Sequence, residues 1–227
     1  MLIAKMIHSD YQHVFVLAAN AGFNAQRVGY EKIFTHYYNN GTPLTDIIPL
    51  KDHTAGPMNV NVSMTMSSMN GYDAVSGQID ISASMYLVWY DEVIEDQYLD
   101  SIITIGETLE VLMDYDKAWA PNIVLVNAVD TVKDIGDLSY MLRYTMVRES
   151  STTKYVKVDW HPRMLLRASC TPDVTYYPFD RQVCDLTYTA WGYFSREVKL
   201  NVLKSEWDTS AAEDNGVWKI ISQVFLS

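Results

Sequence analysis

The sequence predicts an all-β protein, a sandwich of about ten short strands with an N-terminal α-helix. Three observations support that expectation. Beyond residue 58, apolar residues recur mostly at a period of two, the spacing that sends alternate side chains to one face of a strand. Spacings of three and four dominate one early stretch. Turn-forming residues interrupt the alternating runs, and no strand–helix alternation marks the βαβ units of a parallel sheet.

The helix comes first. Across residues 27–39, Tyr30, Ile33, Phe34, Tyr37 and Tyr38 make one aromatic face, which suits a helix covering one end of a core. Asn39-Asn40-Gly41-Thr42-Pro43 stops it. Met58, Val60, Val62, Met64 and Met66 then alternate with polar residues as a first strand. A turn expected at Asn70-Gly71 leads to a second strand through Ile79, Ile81, Ala83, Met85 and Leu87. Asp91-Glu92 and Glu95-Asp96 read as a solvated turn. Residues 114–122 form a loop feeding the β-branched run Ile123-Val124-Leu125-Val126. Segments 142–149 and 154–160 flank Ser150-Ser151-Thr152-Thr153 as a hairpin. Strands at 164–168, 184–188, 198–202 and 217–225 complete an immunoglobulin-like β-sandwich.

Composition narrows the function. A chain of 227 residues suits one large all-β domain, and 48% hydrophobic content with 16 Tyr and 6 Trp is that of a globular protein. The net charge of −11, with no basic stripe, argues against a nucleic-acid partner; it suits a surface that attracts cations and equally one that only keeps the protein in solution. No apolar run reaches the roughly 18 residues of a membrane-spanning helix. Residues 1–26 resemble a signal peptide only in outline: Lys5 precedes the apolar run at 14–19, but His8, Asp10 and His13 interrupt it. They are expected to form a helical N-terminal extension, with the rest of the domain at residues 27–227. The sequons Asn40-Gly41-Thr42 and Asn61-Val62-Ser63 are candidate glycosylation sites of an extracellular protein. No Gly-x-Ser-x-Gly, His-Glu-x-x-His or glycine-rich phosphate loop occurs. Asp114-x-Asp116 begins like a calcium loop, yet Trp119 stands where the sharp turn needs glycine, and the five histidines show no metal spacing. The expectation is a binding protein without enzyme activity, metal or cofactor.

The two cysteines, Cys170 and Cys184, are separated by thirteen residues. One disulfide closing a short loop is the simplest reading, and two buried thiols are the alternative. Between them lies Tyr177-Pro178-Phe179-Asp180, and Trp191 follows Cys184 by seven residues.

This arrangement resembles the Cys-loop receptors, the pentameric ligand-gated ion channels whose soluble relatives are the acetylcholine-binding proteins. The similarity continues through Trp119-Ala120-Pro121-Asn122 with Leu125 and Asn127, through Trp160-His161-Pro162, and through Val217-Trp218-Lys219-Ile220. It spans roughly residues 27–224. Asn122 stands where the family has aspartate. The resemblance implies an extracellular ligand-binding domain, a pentamer binding a small amine-like ligand between subunits, and a transmembrane domain outside this chain. On the principal face it points to Trp191, Tyr193 and Val126, the last where a tyrosine is frequent. On the complementary face it points to Tyr86, Asp159 and His161. It also implies a Cys170–Cys184 disulfide and a membrane-facing coupling loop at Tyr177, Pro178, Phe179 and Asp180. An amine over an indole or phenol face gains about 0.5–2 kcal/mol. The structural alternative for Trp191 is packing inside the sandwich. No vicinal cysteine pair is present, and the chain stops before the capping loop and the last strand, as a longer chain cut at this point would. The rival functions are a soluble, secreted binding protein of the same fold and an adhesion or lectin-like sandwich.

Overall fold

The computed structural model describes residues 20–39, 42–129, 133–134, 141–176, 181–210, 212–213 and 216. Most of the expected N-terminal extension, the strand expected at 217–225 and the capping region lie outside the described residues.

Helix α1 (Asn20–Tyr37) begins seven residues before the expected start. Its inner face buries Ile33 and Tyr37 completely. Tyr30, Phe34 and Tyr38 stack along its flank, with ring centroids 6.2 and 4.8 Å apart. Gly29 sets how closely the helix approaches the sheet, because a Cβ there would lie 2.9 Å from Val111 Cγ2. Two-residue strands β1 (Tyr38–Asn39) and β2 (Thr42–Pro43) pair after it.

Strands β3 (Met58–Asp73) and β4 (Gln78–Tyr90) make a long hairpin. Its turn lies at residues 74–77, not at Asn70-Gly71. Asp73 makes the turn: Oδ1 accepts from the Val75 and Ser76 amides and Oδ2 from the Ser76 hydroxyl, while Gly77 takes φ +62°. Asn70 stays in the strand, where the register shifts between Met69 and Gly71. There its amide donates to Ser82 Oγ and its oxygen accepts from Ser68 Oγ. A bulge thus uses the same residue types that suggested a turn.

The acidic run after β4 is not a plain solvated turn. It starts helices α2 (Glu92–Gln97) and α3 (Leu99–Ile102), which the alternating pattern did not suggest. Asp91, fully buried, is the N-cap of α2: it accepts from the Ile94 amide at 2.8 Å and from the Tyr37 hydroxyl at 2.7 Å. Burial pushes its carboxyl up to about 6, against the pull of those hydrogen bonds. Glu92 and Asp96 remain outside, bonded to the Lys51 amide and ammonium respectively.

Strand β5 (Glu107–Asp114), also unanticipated, buries Leu109, Val111 and Met113. A short 3-10 turn precedes β6 (Ile123–Leu125), followed by β7 (Lys133–Asp134). The expected hairpin is β8 (Met141–Arg148) and β9 (Lys154–Trp160). Strand β10 (Arg163–Ser169) follows, then β11 (Tyr188–Ala190), which starts four residues later than expected, and β12 (Val198–Val202). The large sheet runs β12-β3-β4-β9-β8-β5, with β10 also on β4; the small one runs β11-β6-β7. Leu87 faces Trp160 and Ser84 faces Arg163, so β9 and β10 keep one register across His161-Pro162. Strand β12 pairs with β3 in parallel, because the chain crosses over from the small sheet before reaching that edge.

Trp89, Trp119, Trp160 and Tyr144 fill the core, with Trp119 edge-on to Trp89 at 5.5 Å. Cys170 and Cys184 form a disulfide, which removes the free-thiol alternative. The β3–β4 turn is fastened to it, since the Cys170 amide donates to Gly77 O at 2.7 Å. A Cβ on Gly77 would lie 2.5 Å from the Cys170 carbonyl oxygen. Gly77→Ala therefore meets both the contact and the left-handed backbone, and is expected to cost about 1–3 kcal/mol in urea unfolding. Parent-like unfolding would show that the turn can move away from the disulfide.

Candidate functional site

The small sheet presents the residues of the expected principal face. The Trp191 amide donates to Asn122 O at 2.7 Å, closing the β6–β11 ladder at one end. Gly192 then turns the chain at φ +87°. The turn directs the Trp191 ring outward, where it is 53% exposed, so it does not pack in the sandwich core. Tyr193 points the other way. Half-buried, its hydroxyl accepts from Trp119 Nε1 at 3.2 Å, and burial raises its pKa. One ring is thus offered to solvent and its near neighbour is tied to a core tryptophan.

Val126 lies at the far end of the same ladder. Its amide donates to Thr187 O, and its side chain is exposed. Four residues separate it from Asn122, a rise of about 13 Å along an extended strand. The cleft beside Trp191 instead opens onto other groups. It holds about 570 Å³, and its walls include Trp191, Tyr193, Tyr115, Asn122, Asp46 and Asp116. Neither Asp46 nor Asp116 was singled out in the sequence as a binding residue. Asp114-x-Asp116 was legible only as a failed calcium loop, and Asp46 had no pattern around it.

Tyr86, Asp159 and His161 share the outer face of the large sheet. Extending the β4–β9 register puts Tyr86 opposite His161, and their rings lie 4.4 Å apart. His161 is well exposed. Partial burial lowers its pKa despite the pull of Asp159. Asp159 is only 6% exposed and sits among cations, with Lys157 Nζ at 3.1 Å and Arg143 Nε at 3.9 Å. Those two cations offset its charge within the chain.

Asn61 lies on β3 between β12 and β4, half-buried. Asn40 lies outside the described residues, as do Tyr177, Pro178, Phe179 and Asp180. On either side of that gap, Val174, Tyr176 and Val183 are exposed by 58, 74 and 78%. The segments entering and leaving the disulfide are braced by one side chain. Asn127 Nδ2 donates to Ser169 O at 3.2 Å and Asp185 O at 2.7 Å, and Oδ1 accepts from the Thr187 amide.

The described residues thus form a β-sandwich with an N-terminal helix, one disulfide and an outward indole. Residues 28–226 match the family described as neurotransmitter-gated ion-channel ligand binding domain, and the chain belongs to that family. Among curated relatives, it is 27% identical over 195 residues to the human neuronal acetylcholine receptor subunit alpha-6, covering 85% of this chain and 35% of that one. It is 26% identical over 176 residues to the acetylcholine receptor subunit beta-type unc-29 of Caenorhabditis elegans, covering 77% and 33%. With the human neuronal acetylcholine receptor subunit alpha-9 it shares 27% over 205 residues, covering 88% and 37%. The chain thus spans about a third of the length of the curated relatives it matches.

Proposed function

We propose that this chain is the extracellular ligand-binding part of a pentameric ligand-gated channel and takes a small cationic ligand between neighbouring subunits. Trp191, Tyr193 and Val126 form one side of that site; Tyr86, Asp159 and His161 of the adjacent copy form the other. Binding biases two arrangements of the ring. The Cys170–Cys184 loop, with Tyr177, Pro178, Phe179 and Asp180, carries the bias toward a membrane domain. The observation that supports this reading most is the half-exposed Trp191, pinned by its backbone at a tight turn. An indole left in water at a rigid position gains contact area when a partner covers it. The exposed Val174, Tyr176 and Val183 suit a loop that meets another apolar surface, which favours a channel over a soluble binder.

Two measurements test it. Sedimentation is expected to show a five-chain assembly, and a monomer at all concentrations would remove the interface reading. Trp191→Ala is expected to weaken tetramethylammonium binding by about 5- to 30-fold, the loss of one desolvated cation–π contact. Unchanged affinity would remove Trp191 from the site.

A further inference from the structure

We infer that Asp91 is a proton-operated latch for helix α1: neutral, it fastens the helix to the sandwich, and ionised, it loosens it. The latch is independent of the ligand site proposed above.

One carboxyl stands where three elements meet. From α1, the hydroxyl of Tyr37, the last residue of the helix, donates to Asp91 Oδ2 at 2.7 Å. From α2, the Ile94 amide donates to Oδ1 at 2.8 Å. From β8, Tyr144 brings its buried hydroxyl beside that of Tyr37. Asp91 is itself fixed to β9, because its amide donates to Val156 O at 2.9 Å. All three side chains are buried, so a charge formed here has no water to solvate it.

No cation answers that charge. Among the described residues, no Lys, Arg or His lies within ion-pair distance of Asp91; Lys51 is bonded to Asp96 and Lys154 to Asp100. Glu92, next along the chain, adds a like charge, and Glu95 on the same helix is itself pushed up by burial. The hydrogen bonds that Asp91 accepts only partly offset its burial, so the carboxyl titrates at about 6 instead of 3.8. Its contribution to docking is therefore full below about pH 4 and is lost as pH rises through about 6. On α1, Lys32 lies over the Tyr98 ring, 6.0 Å from its centroid, and His36 stands edge-on to Tyr37 at 4.9 Å. Burial lowers the His36 pKa, so that residue works in the opposite sense and loosens the helix as pH falls.

The loosening falls on α1 before the sheets. Ile33 and Tyr37 are the buried anchors of the helix, whereas β3 and β4 share a long hydrogen-bonded ladder. An element held by few buried side chains opens at a lower free energy than the whole fold. Tyr38, directly after α1, donates to Asp116 O at 3.1 Å, so the latch also reaches the turn that precedes Trp119.

Hydrogen exchange on the intact chain tests the latch, with each rate divided by the intrinsic rate of that amide at the same pH. Opening of residues 30–37 is measured against that of the β3–β4 hairpin. From pH 4.5 to pH 7.5 it is expected to rise about 10- to 30-fold more in the parent than in Asp91→Asn. His36 is present in both proteins, so the comparison cancels its opposite effect. Tyr37→Phe removes a hydrogen bond that favours the charged carboxylate, so the rise should level off at a higher pH than in the parent. A purely structural role for that hydroxyl would loosen the helix equally at every pH and leave the levelling point in place. A parent-to-Asn ratio that is flat across the range overturns the proposal, as does a rise shared equally by the hairpin. Should Asp91→Asn fail to fold, an unmoved levelling point in Tyr37→Phe overturns it alone.

Discussion

Asp91→Asn is expected to become progressively more stable than the parent as pH rises from about 4 to about 7, by up to about 3 kcal/mol. Asp91 is completely buried, and burial raises its carboxyl from an ordinary 3.8 to about 6. The protonated form fits the site, so its favourable contribution is full below about pH 4. It is lost as pH rises through about 6, when a charge must be held without solvent. Asparagine keeps an acceptor for the Ile94 amide and never ionises. Its amide can also donate to the Tyr37 hydroxyl, freeing that proton for the buried Tyr144 hydroxyl beside it. Urea unfolding of both proteins at pH 4 and pH 7.5 reads the difference directly. A difference that does not change with pH would mean that Asp91 stays ionised throughout. Asp91→Ala serves as the counterpart. It loses the α2 cap and strands Tyr37, and about 2–4 kcal/mol should be lost at low pH, where no buried charge is relieved.

Cys184→Ser is expected to cost about 3 kcal/mol, the loop-closure contribution for a bridge across a sequence separation of 14. For a domain of this size that lowers the melting temperature by about 6–12 °C. The bridge also fastens the β3–β4 turn through the Cys170 amide and Gly77, so local loosening should appear there first. Hydrogen exchange at residues 74–77 should rise more than at the β4–β9 ladder. Reductant should destabilise the parent by a similar amount and leave the variant unaffected. A parent that resists reductant and a variant of parental stability would show that the strands hold the loop without the bond.

Much of the fold is written in local periodicity. Met58 through Met66 and Ile79 through Leu87 alternate in sequence and bury alternate side chains in the structure. The hairpin across Ser150–Thr153 is equally local. Asn70-Gly71 shows where local reading fails: its composition suits a turn and a bulge alike, and Asp73 with Gly77 supplies the stronger turn four residues on. The four acidic residues from 91 to 96 fail differently. Their charge suggests water, but Asp91 lies under α1 and faces Tyr37, 54 residues earlier. No window of sequence contains both.

For the candidate site, the division follows the same physics. Trp191 could be singled out from its step beyond Cys184, since covalent spacing is a property of the chain. Its outward direction could not, because that depends on the hydrogen bond from its amide to Asn122 and on the left-handed Gly192. Asp159 appeared in sequence as an acidic residue on a strand face; folding set it beside Lys157 and Arg143, whose charges offset it.

By itself, the sequence determined the strand periods, the position of the aromatic helix face and the family resemblance around Cys170 and Cys184. These depend on residue order over short spans. Only the tertiary structure decided which carboxylate is buried, which indole is left in water, and that Asp46 and Asp116 border one cleft. Each of those depends on chain segments far apart in sequence, and desolvation and Coulomb forces act on distance in space.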